Sequence, residues 1–417
     1  MGKSQGQGRL QMVNPQRSSW LTFGTIGFLA LNVFIPLACV PPIEALLRQT
    51  FSIGYAQIGF LFTGPILMLV IVAIPAGIIA DKIGLRKAAG IGTLILALGA
   101  LFRATATNYN SLLLFTLVYG TGLGMVFTNL PKFVSLLVPP EKAGIATGFY
   151  SAGLMVGATL SMALTVPMAL PLGNTVQGVF FIWSLPPLAA AILPWLVLKE
   201  TPRSNIRETT KKRPRPTLSR ILGDKHLWMV GILLLLHNFF IYTWTGWAPL
   251  LMQRSGATHE LAGFITSLNF FMAIPAVLIV PRLAYRLGLR KPFLWGPGII
   301  MGLAAWAAMH NTFTLGWILM IIVGIANGTR FPIILALPLE ISDPDIVGAA
   351  SGFILAVGYL GAIIGPLVSG YILDLTGSLQ MSMIILIILS ATATIISLLL
   401  PETGSRTKVP KKILRRA

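Results

Sequence analysis

The chain has 417 residues, of which 55% are hydrophobic and only 10% charged, and its mean hydropathy is +0.81. A soluble domain carries about 25% charged residues, so a chain this apolar cannot cover a water-facing surface and must lie largely in lipid. The composition excludes disorder, collagen and coiled coil, and the single cysteine, Cys39, excludes an intrachain disulfide.

Twelve apolar stretches are long enough to cross a bilayer, which takes about 20 residues per helix. They lie at 19–40, 57–79, 88–107, 111–137, 144–170, 176–198, 227–252, 261–281, 292–310, 314–339, 347–372 and 378–400. Numbered spans 1 to 12, they predict an all-α membrane protein with twelve transmembrane helices.

Taken alone, the net charge of +19 would indicate a nucleic-acid-binding protein. The positions of the basic residues give a different interpretation. Nearly all Lys and Arg residues fall in the two tails and in the loops after even-numbered spans. Only Arg48, Arg103 and Arg254 fall on the other side. Because cytoplasmic loops carry an excess of Lys and Arg, both termini are predicted to be cytoplasmic. The charge therefore indicates topology and contact with anionic lipid, and we expect no nucleic-acid partner. We interpret Arg103 as reaching the outer interface.

An internal repeat divides the chain into two similar halves. Glycines and loop residues recur in one register, which chance does not produce. The matches include Gly59-Phe60 with Gly263-Phe264, Gly84-Leu85-Arg86-Lys87 with Gly288-Leu289-Arg290-Lys291, and Gly148-Phe149 with Gly352-Phe353. The repeat predicts two six-helix bundles related by a pseudo-two-fold axis, at 1–198 and 227–417, joined by a basic cytoplasmic linker at 199–226. Within the linker, 217–225 is either a short interfacial helix or solvated chain.

The loop between spans 2 and 3 has the pattern G-x-x-x-D-[RK]-x-G-x-[RK]-[RK], formed by Gly77, Asp81, Gly84, Arg86 and Lys87. It resembles the loop signature of the major facilitator superfamily, and the span count and central basic loop agree with that family over essentially the whole chain. The resemblance implies a transporter whose two halves enclose a central site. The equivalent loop in the second half, 281–291, is degraded, as is common in that family.

By the same resemblance, this loop forms a gate that holds the cytoplasmic side closed. Asp81 is expected to face a helix N-terminus, that of span 11, which attracts negative charge. Arg86 and Lys87 are expected to pair with acidic or carbonyl groups on facing helix ends. The candidates are Glu141, Asp343 and Asp345. The alternative is that the basic residues of the loop only enforce topology.

Two cations lie inside predicted spans, where an ionisable residue costs several kcal/mol and indicates function by default. Arg330 in span 10 follows Asn327, and Lys132 in span 4 follows Asn129, at the same spacing on one helix face. In the superfamily, spans 1, 4, 7 and 10 line the central cavity. In this chain the acidic residues avoid the membrane midplane, so none of them is placed to neutralise the two cations. We therefore predict that these four residues bind an anionic substrate. The alternatives are hydrogen bonds from Arg330 to backbone carbonyls and extension of Lys132 to the inner interface.

Span 7 concentrates the remaining polar groups. Asn238, Tyr242 and Thr245 form one helical stripe, and His237 adjoins it. We predict that these residues and Trp247 contact the substrate. His237 is also the best candidate for proton coupling, with a hydrogen-bonded packing role as the alternative, and Trp247 could equally belong to an interfacial aromatic belt. Asn32 in span 1 is a further candidate for the cavity wall.

The sequence predicts a secondary active or facilitative transporter that moves a small anionic solute by rocker-switch alternating access. Asn129-Leu-Pro-Lys132, the Trp-rich span 7 and Gly358-Tyr359 resemble cyanate- and nitrate-type porters, although the Asn-Gly-rich nitrate signature is absent. Two rivals are an exporter of lipophilic or cationic compounds and a non-transporting receptor or scaffold.

No enzyme motif is present, and we expect no cofactor and no metal. The expected location is the cell (inner) membrane, and the expected state is a monomer. Protons and a counter-transported anion are left open as coupling species. The R-x-x-Q-G pattern in span 4 of many proton-coupled members of that family is replaced here by Thr116 and Tyr119, which argues against a carboxylate proton relay.

Overall fold

The computed structural model describes residues 20–138, 143–198, 218–310, 312–343 and 346–404. Every regular element within these ranges is helical. The twelve long helices are α1 Trp20–Ala38, α2 Tyr55–Ile83, α3 Leu85–Phe102, α4 Tyr109–Leu137, α5 Ala143–Leu164, α6 Val176–Val197, α7 Lys225–Arg254, α8 His259–Leu287, α9 Pro292–Ala308, α10 Phe313–Ile341, α11 Val347–Thr376 and α12 Leu379–Leu399.

The helices correspond one to one with the twelve predicted spans. Eleven of the described helical segments are long and apolar enough to cross a membrane, and α9 is a shorter apolar helix of 17 residues. Helix α5 continues through a π-helical segment, Thr165–Ala169. The predicted fold class, an all-α multi-pass membrane protein, is confirmed.

Helix packing follows the internal repeat. Within the first half α2 packs on α4 and α1 on α5, and within the second half the corresponding helices pair, α8 on α10 and α7 on α11. The halves meet mainly where α2 packs on α11 and α5 on α8. The repeat relates α2 to α8 and α5 to α11, so these two contacts exchange under the pseudo-two-fold axis.

The proposed domain boundaries, 1–198, 199–226 and 227–417, stay a prediction. Most of the linker lies outside the described residues. Its described end forms a short helix, Leu218–Leu222.

The two halves converge at one end of the bundle. We call the end where α1 and α7 begin the linker side and the opposite end the far side. On the far side a Cβ added to Gly59 of α2 would lie 2.5 Å from the carbonyl oxygen of Pro366 in α11, so the backbones nearly touch. Toward the linker side, a Cβ added to Gly348, which lies on the same face of α11 as Pro366, would meet no atom within 4 Å. The helices α2 and α11 are therefore closed together on the far side and separate on the linker side.

Arg103 corrects an expectation from the sequence. It is 2% exposed, donates a 2.6 Å hydrogen bond to the carbonyl oxygen of Pro36, and lies 4.0 Å from the ring centroid of Phe180. Pro36 lies in the last turn of α1, where backbone carbonyls have no partner within the helix and are available to other donors. Arg103 therefore fixes helices within the first half and does not reach the outer interface.

Candidate functional site

A cavity lies between the two halves near the middle of the helices. The first half contributes wall residues from α1, α2, α4 and α5, and the second half from α7, α8, α10 and α11. Because both halves form its wall, any relative movement of the halves changes its access.

The polar part of the wall consists of amides and hydroxyls. Three groups come from the predicted stripe on α7, one from α10 and one from α11: Asn238, Tyr242, Thr245, Asn327 and Tyr359. No charged side chain is among the described residues that line the cavity. Nor do three His, Cys, Asp or Glu side chains cluster as metal ligands anywhere in the described ranges.

The rest of the wall is strongly aromatic. Five phenylalanines from both halves line it together with the two tyrosines: Phe34, Phe62, Phe127, Phe270 and Phe331. Aromatic rings favour offset-stacked or edge-to-face partners, so this wall suits a planar or aromatic ligand. The sequence did not single out these residues, because phenylalanine is common in all spans and no motif marks the inward-facing ones.

Two asparagines are oriented by partners behind the wall. Asn238 donates through Nδ2 to the carbonyl oxygen of Gly358 at 3.1 Å. Oδ1 of Asn327 lies 3.1 Å from Nε2 of His237. His237 is itself 1% exposed and is stacked on Phe331, with ring centroids 5.9 Å apart. The structure thus brings Asn238, Tyr242, Thr245 and Asn327 to one cavity, with His237 as the support of Asn327, and their contact with a substrate stays a prediction.

Arg330 is placed away from the cavity. Its guanidinium is 1% exposed and donates through Nη2 to the carbonyl oxygen of Ala393 at 3.0 Å and to Oγ of Ser397 at 3.1 Å, both on α12. This is the alternative that the sequence left open, hydrogen bonding to backbone. Direct contact between Arg330 and a substrate would require the guanidinium to leave α12, and it stays a prediction.

Four other predicted binding residues also lie outside the cavity wall. Asn32 and Asn129 are buried and donate to carbonyl oxygens of their own helices, at 2.7 and 2.8 Å. Trp247 is buried against Tyr55 near the far side, with ring centroids 5.8 Å apart. Lys132 points toward the linker side, where it is bound to α2. A single polar side chain in an otherwise apolar helix does not tell which face turns inward, because it can bond to carbonyls of its own or a neighbouring helix, as Asn32, Asn129 and Lys132 do.

The linker-side gate residues are engaged within the first half. Nζ of Lys132 contacts Oδ1 of Asp81 at 2.9 Å and the carbonyl oxygen of Gly77 at 3.0 Å. Arg86 donates to the carbonyl oxygen of Trp195 in α6. In this conformation the partner of Asp81 is therefore Lys132 and not the N-terminus of α11.

The remaining gate residues have backbone or surface positions. Gly84 ends α2 with φ +92°, a conformation that favours glycine, and Lys87 is exposed. Of the three acidic candidates for the gate, Asp343 pairs with Arg220 at 3.1 Å. The other two, Glu141 and Asp345, lie outside the described residues.

The far side carries an interhalf contact that the sequence did not predict. Both carboxylate oxygens of Asp374, at the end of α11, accept hydrogen bonds of 2.8 Å from the first backbone amides of α2, those of Tyr55 and Ala56. An anion at a helix N-terminus is favoured by the helix dipole. A signal did exist, because Gly370-x-x-x-Asp374-x-x-Gly377 repeats the spacing of Gly77, Asp81 and Gly84.

Two helical bundles that enclose a cavity between them form an arrangement typical of membrane transporters. The model of the Major Facilitator Superfamily matches residues 23–296 and 249–415. The chain belongs to this superfamily, and it is a transporter and not an enzyme.

Relatives span nearly the full chain. An uncharacterized transporter of Bacillus subtilis, YycB, is 28% identical over 380 residues, which cover 89% of this chain and 90% of the relative. The cyanate transport protein CynX of Escherichia coli is 23% identical (85% and 90% covered). The 3-(3-hydroxy-phenyl)propionate transporter of Escherichia coli is 28% identical (85% and 87% covered).

A solved structure shares the fold. It is a bacterial homolog of the human lysosomal transporter Spinster in an inward-facing, unoccupied conformation, with a TM-score of 0.75 and 17% identity. The alignment covers 92% of this chain and 97% of that one. The relatives together support transport of a small solute.

Proposed function

We propose that the protein is a secondary transporter that moves a small anionic solute with an aromatic or planar body by rocker-switch alternating access. The observation that carries this proposal is the cavity shared by both halves, closed at the far side by Asp374 and by the close approach of Gly59 to Pro366. A site between the repeats that opens to one side at a time is the design of such transporters.

The aromatic wall supports the body of the proposed solute. Phenylalanines from both halves face the same cavity, so a ring held between them contacts both halves at once. The relative that transports 3-(3-hydroxy-phenyl)propionate agrees with such a solute. The amides and hydroxyls of α7 and α10 would bind its polar groups.

The buried Arg330 supports a negative charge on the solute, although it does not line the cavity. No carboxylate pairs with it among the described residues, while its sequence neighbours Gly328 and Phe331 line the cavity. Its positive charge is therefore not neutralised locally and acts through the wall. A unit positive charge roughly 10 Å from a monovalent anion, at an effective dielectric constant near 20, contributes about 1.7 kcal/mol to the free energy of binding that anion. The relative that transports cyanate agrees with an anionic solute.

The basic loops support an orientation of the protein in the membrane. They cluster on the linker side, which the positive-inside rule assigns to the cytoplasm. The open end of the cavity then faces the cytoplasm, in the cell membrane. Membrane lipid is the expected surrounding, and a monomer contains the complete site.

One observation favours a second candidate, an exporter of lipophilic compounds. The described cavity wall contains no charged side chain, and most of its surface residues are apolar or aromatic. An uncharged lipophile would bind there without any contribution from Arg330, so the two candidates differ in their response to Arg330.

A thermal-stability assay of the detergent-purified protein distinguishes them, with benzoate and its neutral counterpart benzyl alcohol as ligands. Ligand at 100 times its dissociation constant stabilises the folded state by about 2.7 kcal/mol. We expect Arg330→Gln to weaken benzoate binding about tenfold and to leave benzyl alcohol unchanged, while Arg330→Lys retains benzoate binding.

The matched control is Arg282→Gln, which removes one exposed charge of α8 and should change neither ligand. Equal binding of both ligands by wild type and Arg330→Gln would support the exporter. Binding of either ligand without any flux in proteoliposomes would instead indicate a receptor.

A further inference from the structure

We propose that His237 is a positioning residue that fixes the hydrogen-bonding face of Asn327, so that the cavity presents one donor and one acceptor in set places. This inference rests on the proposed function and deepens it by naming the substrate class. The substrate is a small aromatic molecule that carries a hydrogen-bond acceptor, such as a carboxylate, and a separate hydrogen-bond donor, such as a hydroxyl.

The contact behind Asn327 determines what Asn327 offers to the cavity. Nε2 of His237 lies 3.1 Å from Oδ1 of Asn327, so a proton on Nε2 occupies that oxygen and leaves the Nδ2 amide group for a ligand. No described group bonds to Nδ1 of His237, which is buried. A buried N–H without a partner is rarer than an under-satisfied acceptor, which favours the proton on Nε2.

Stacking restricts the imidazole further. The rings of His237 and Phe331 are 21° from parallel, with centroids 5.9 Å apart, and Phe331 also lines the cavity. His237 is 1% exposed, so its ring cannot turn without displacing its neighbours. Asn327 is thereby held with a donor toward the cavity.

Asn238 supplies the opposite group. Its Nδ2 donates to the carbonyl oxygen of Gly358 at 3.1 Å, and turning the amide over would place two oxygens against each other. Its Oδ1 is therefore the atom available to a ligand, and it accepts. The donor on α10 and the acceptor on α7 line one cavity, so a ligand that satisfies both carries an acceptor and a donor.

The test uses two neutral probes that share a phenol hydroxyl and differ in one group. In 3-nitrophenol the second group accepts hydrogen bonds, and in 3-aminophenol it donates them. With 3-hydroxybenzoate as reference, dissociation constants are measured at pH 6.5 for wild type, His237→Phe and His237→Gln. Phe keeps a ring against Phe331 without the hydrogen bond, whereas Gln keeps a donor.

We expect wild type to bind 3-nitrophenol about tenfold more tightly than 3-aminophenol, which corresponds to about 1.4 kcal/mol. In His237→Phe the Asn327 amide is free to turn and to accept, so this ratio should fall to about one. In His237→Gln the ratio should be retained. A purely structural role of His237 would weaken both probes equally and leave the ratio unchanged, which would overturn the proposal.

A second variant keeps the proposal testable if His237→Phe does not fold. Asn327→Asp replaces the donor by an oxygen of nearly the same shape, and it should bind 3-nitrophenol and 3-hydroxybenzoate at least tenfold more weakly. Unchanged binding of both would also overturn the proposal. If wild type binds none of the three probes, the aromatic substrate class itself is contradicted. If the probes bind but their affinity ratio is the same in wild type and His237→Phe, only the role of His237 is contradicted.

Discussion

The two ends of the molecule carry the same acidic motif in different states. On the far side, Asp374 of α11 accepts two hydrogen bonds of 2.8 Å from the backbone at the start of α2 and joins the halves. On the linker side, Asp81 of α2 has the same spacing to its glycines but is bound to Lys132 within its own half. The same local spacing thus closes one side and leaves the other open.

The difference teaches that the partner of each carboxylate, and not the motif, determines the state. Asp374 stands at the end of α11 beside the start of α2, whereas Asp81 stands near the end of α2 beside Lys132. A carboxylate gains about 1.5–3 kcal/mol from a charge-assisted hydrogen bond. We therefore expect the opposite state to release Asp374 and to bring Asp81 to the N-terminus of α11.

The largest effect is expected from Asp374→Ala. Loss of both hydrogen bonds at the start of α2 removes a charge-assisted contact between the halves and should shift the equilibrium toward far-side opening at least tenfold. A reporter cysteine, Ala158→Cys in the cavity wall, is introduced with Cys39→Ser to remove the native thiol.

A charged thiol reagent should then label this reporter from the far side much faster in the Asp374→Ala background. Asp374→Asn, which can still accept one of the two bonds, should be intermediate. Labelling rates from the far side that do not change in either variant would remove Asp374 from the gate.

Steric separation of the halves should have an intermediate effect. A Cβ at Gly59 would lie 2.5 Å from the carbonyl oxygen of Pro366, so Gly59→Ala requires α2 and α11 to move apart at a cost of about 1–3 kcal/mol. We expect faster far-side labelling of the same reporter.

The matched control is Gly352→Ala on α11. A Cβ at that position has open space around it, and the variant should label like wild type. If the far-side labelling rate rises equally in Gly59→Ala and Gly352→Ala, the effect reflects a general loss of helix packing and not a far-side gate.

The smallest effect is expected on the linker side. Lys132 and Asp81 are 35% and 44% exposed, so their ion pair contributes about 0.2–1 kcal/mol. Lys132→Gln should change the rate of far-side labelling of the Ala158→Cys reporter less than about fivefold, and it should leave the affinity for benzoate unchanged. A large loss of benzoate affinity, with unchanged labelling, would show that Lys132 binds the substrate, as the sequence predicts.

Much of the fold was predictable, because the hydropathy, the basic loops and the internal repeat are properties of whole segments and do not depend on single side-chain contacts. The polar stripe of α7 and Asn327 were also predictable, since polar groups in a span indicate a cavity. The direction of Arg330 was not predictable, because the Ser397 hydroxyl and Ala393 carbonyl that receive it lie on another helix. Tyr359 and the phenylalanines of the cavity were missed for the same reason, since their burial depends on how the two halves meet.

The most direct test of alternating access is a disulfide across the far side. A Cβ at Gly54 lies 3.2 Å from Cγ of Asp374, close to where a cysteine sulfur would stand, so Gly54→Cys with Asp374→Cys, in the Cys39→Ser background, places two thiols within reach. Oxidation should stop flux in proteoliposomes and preserve ligand binding from the linker side, and reduction should restore flux. Full-rate transport by fully cross-linked protein would contradict the mechanism proposed here.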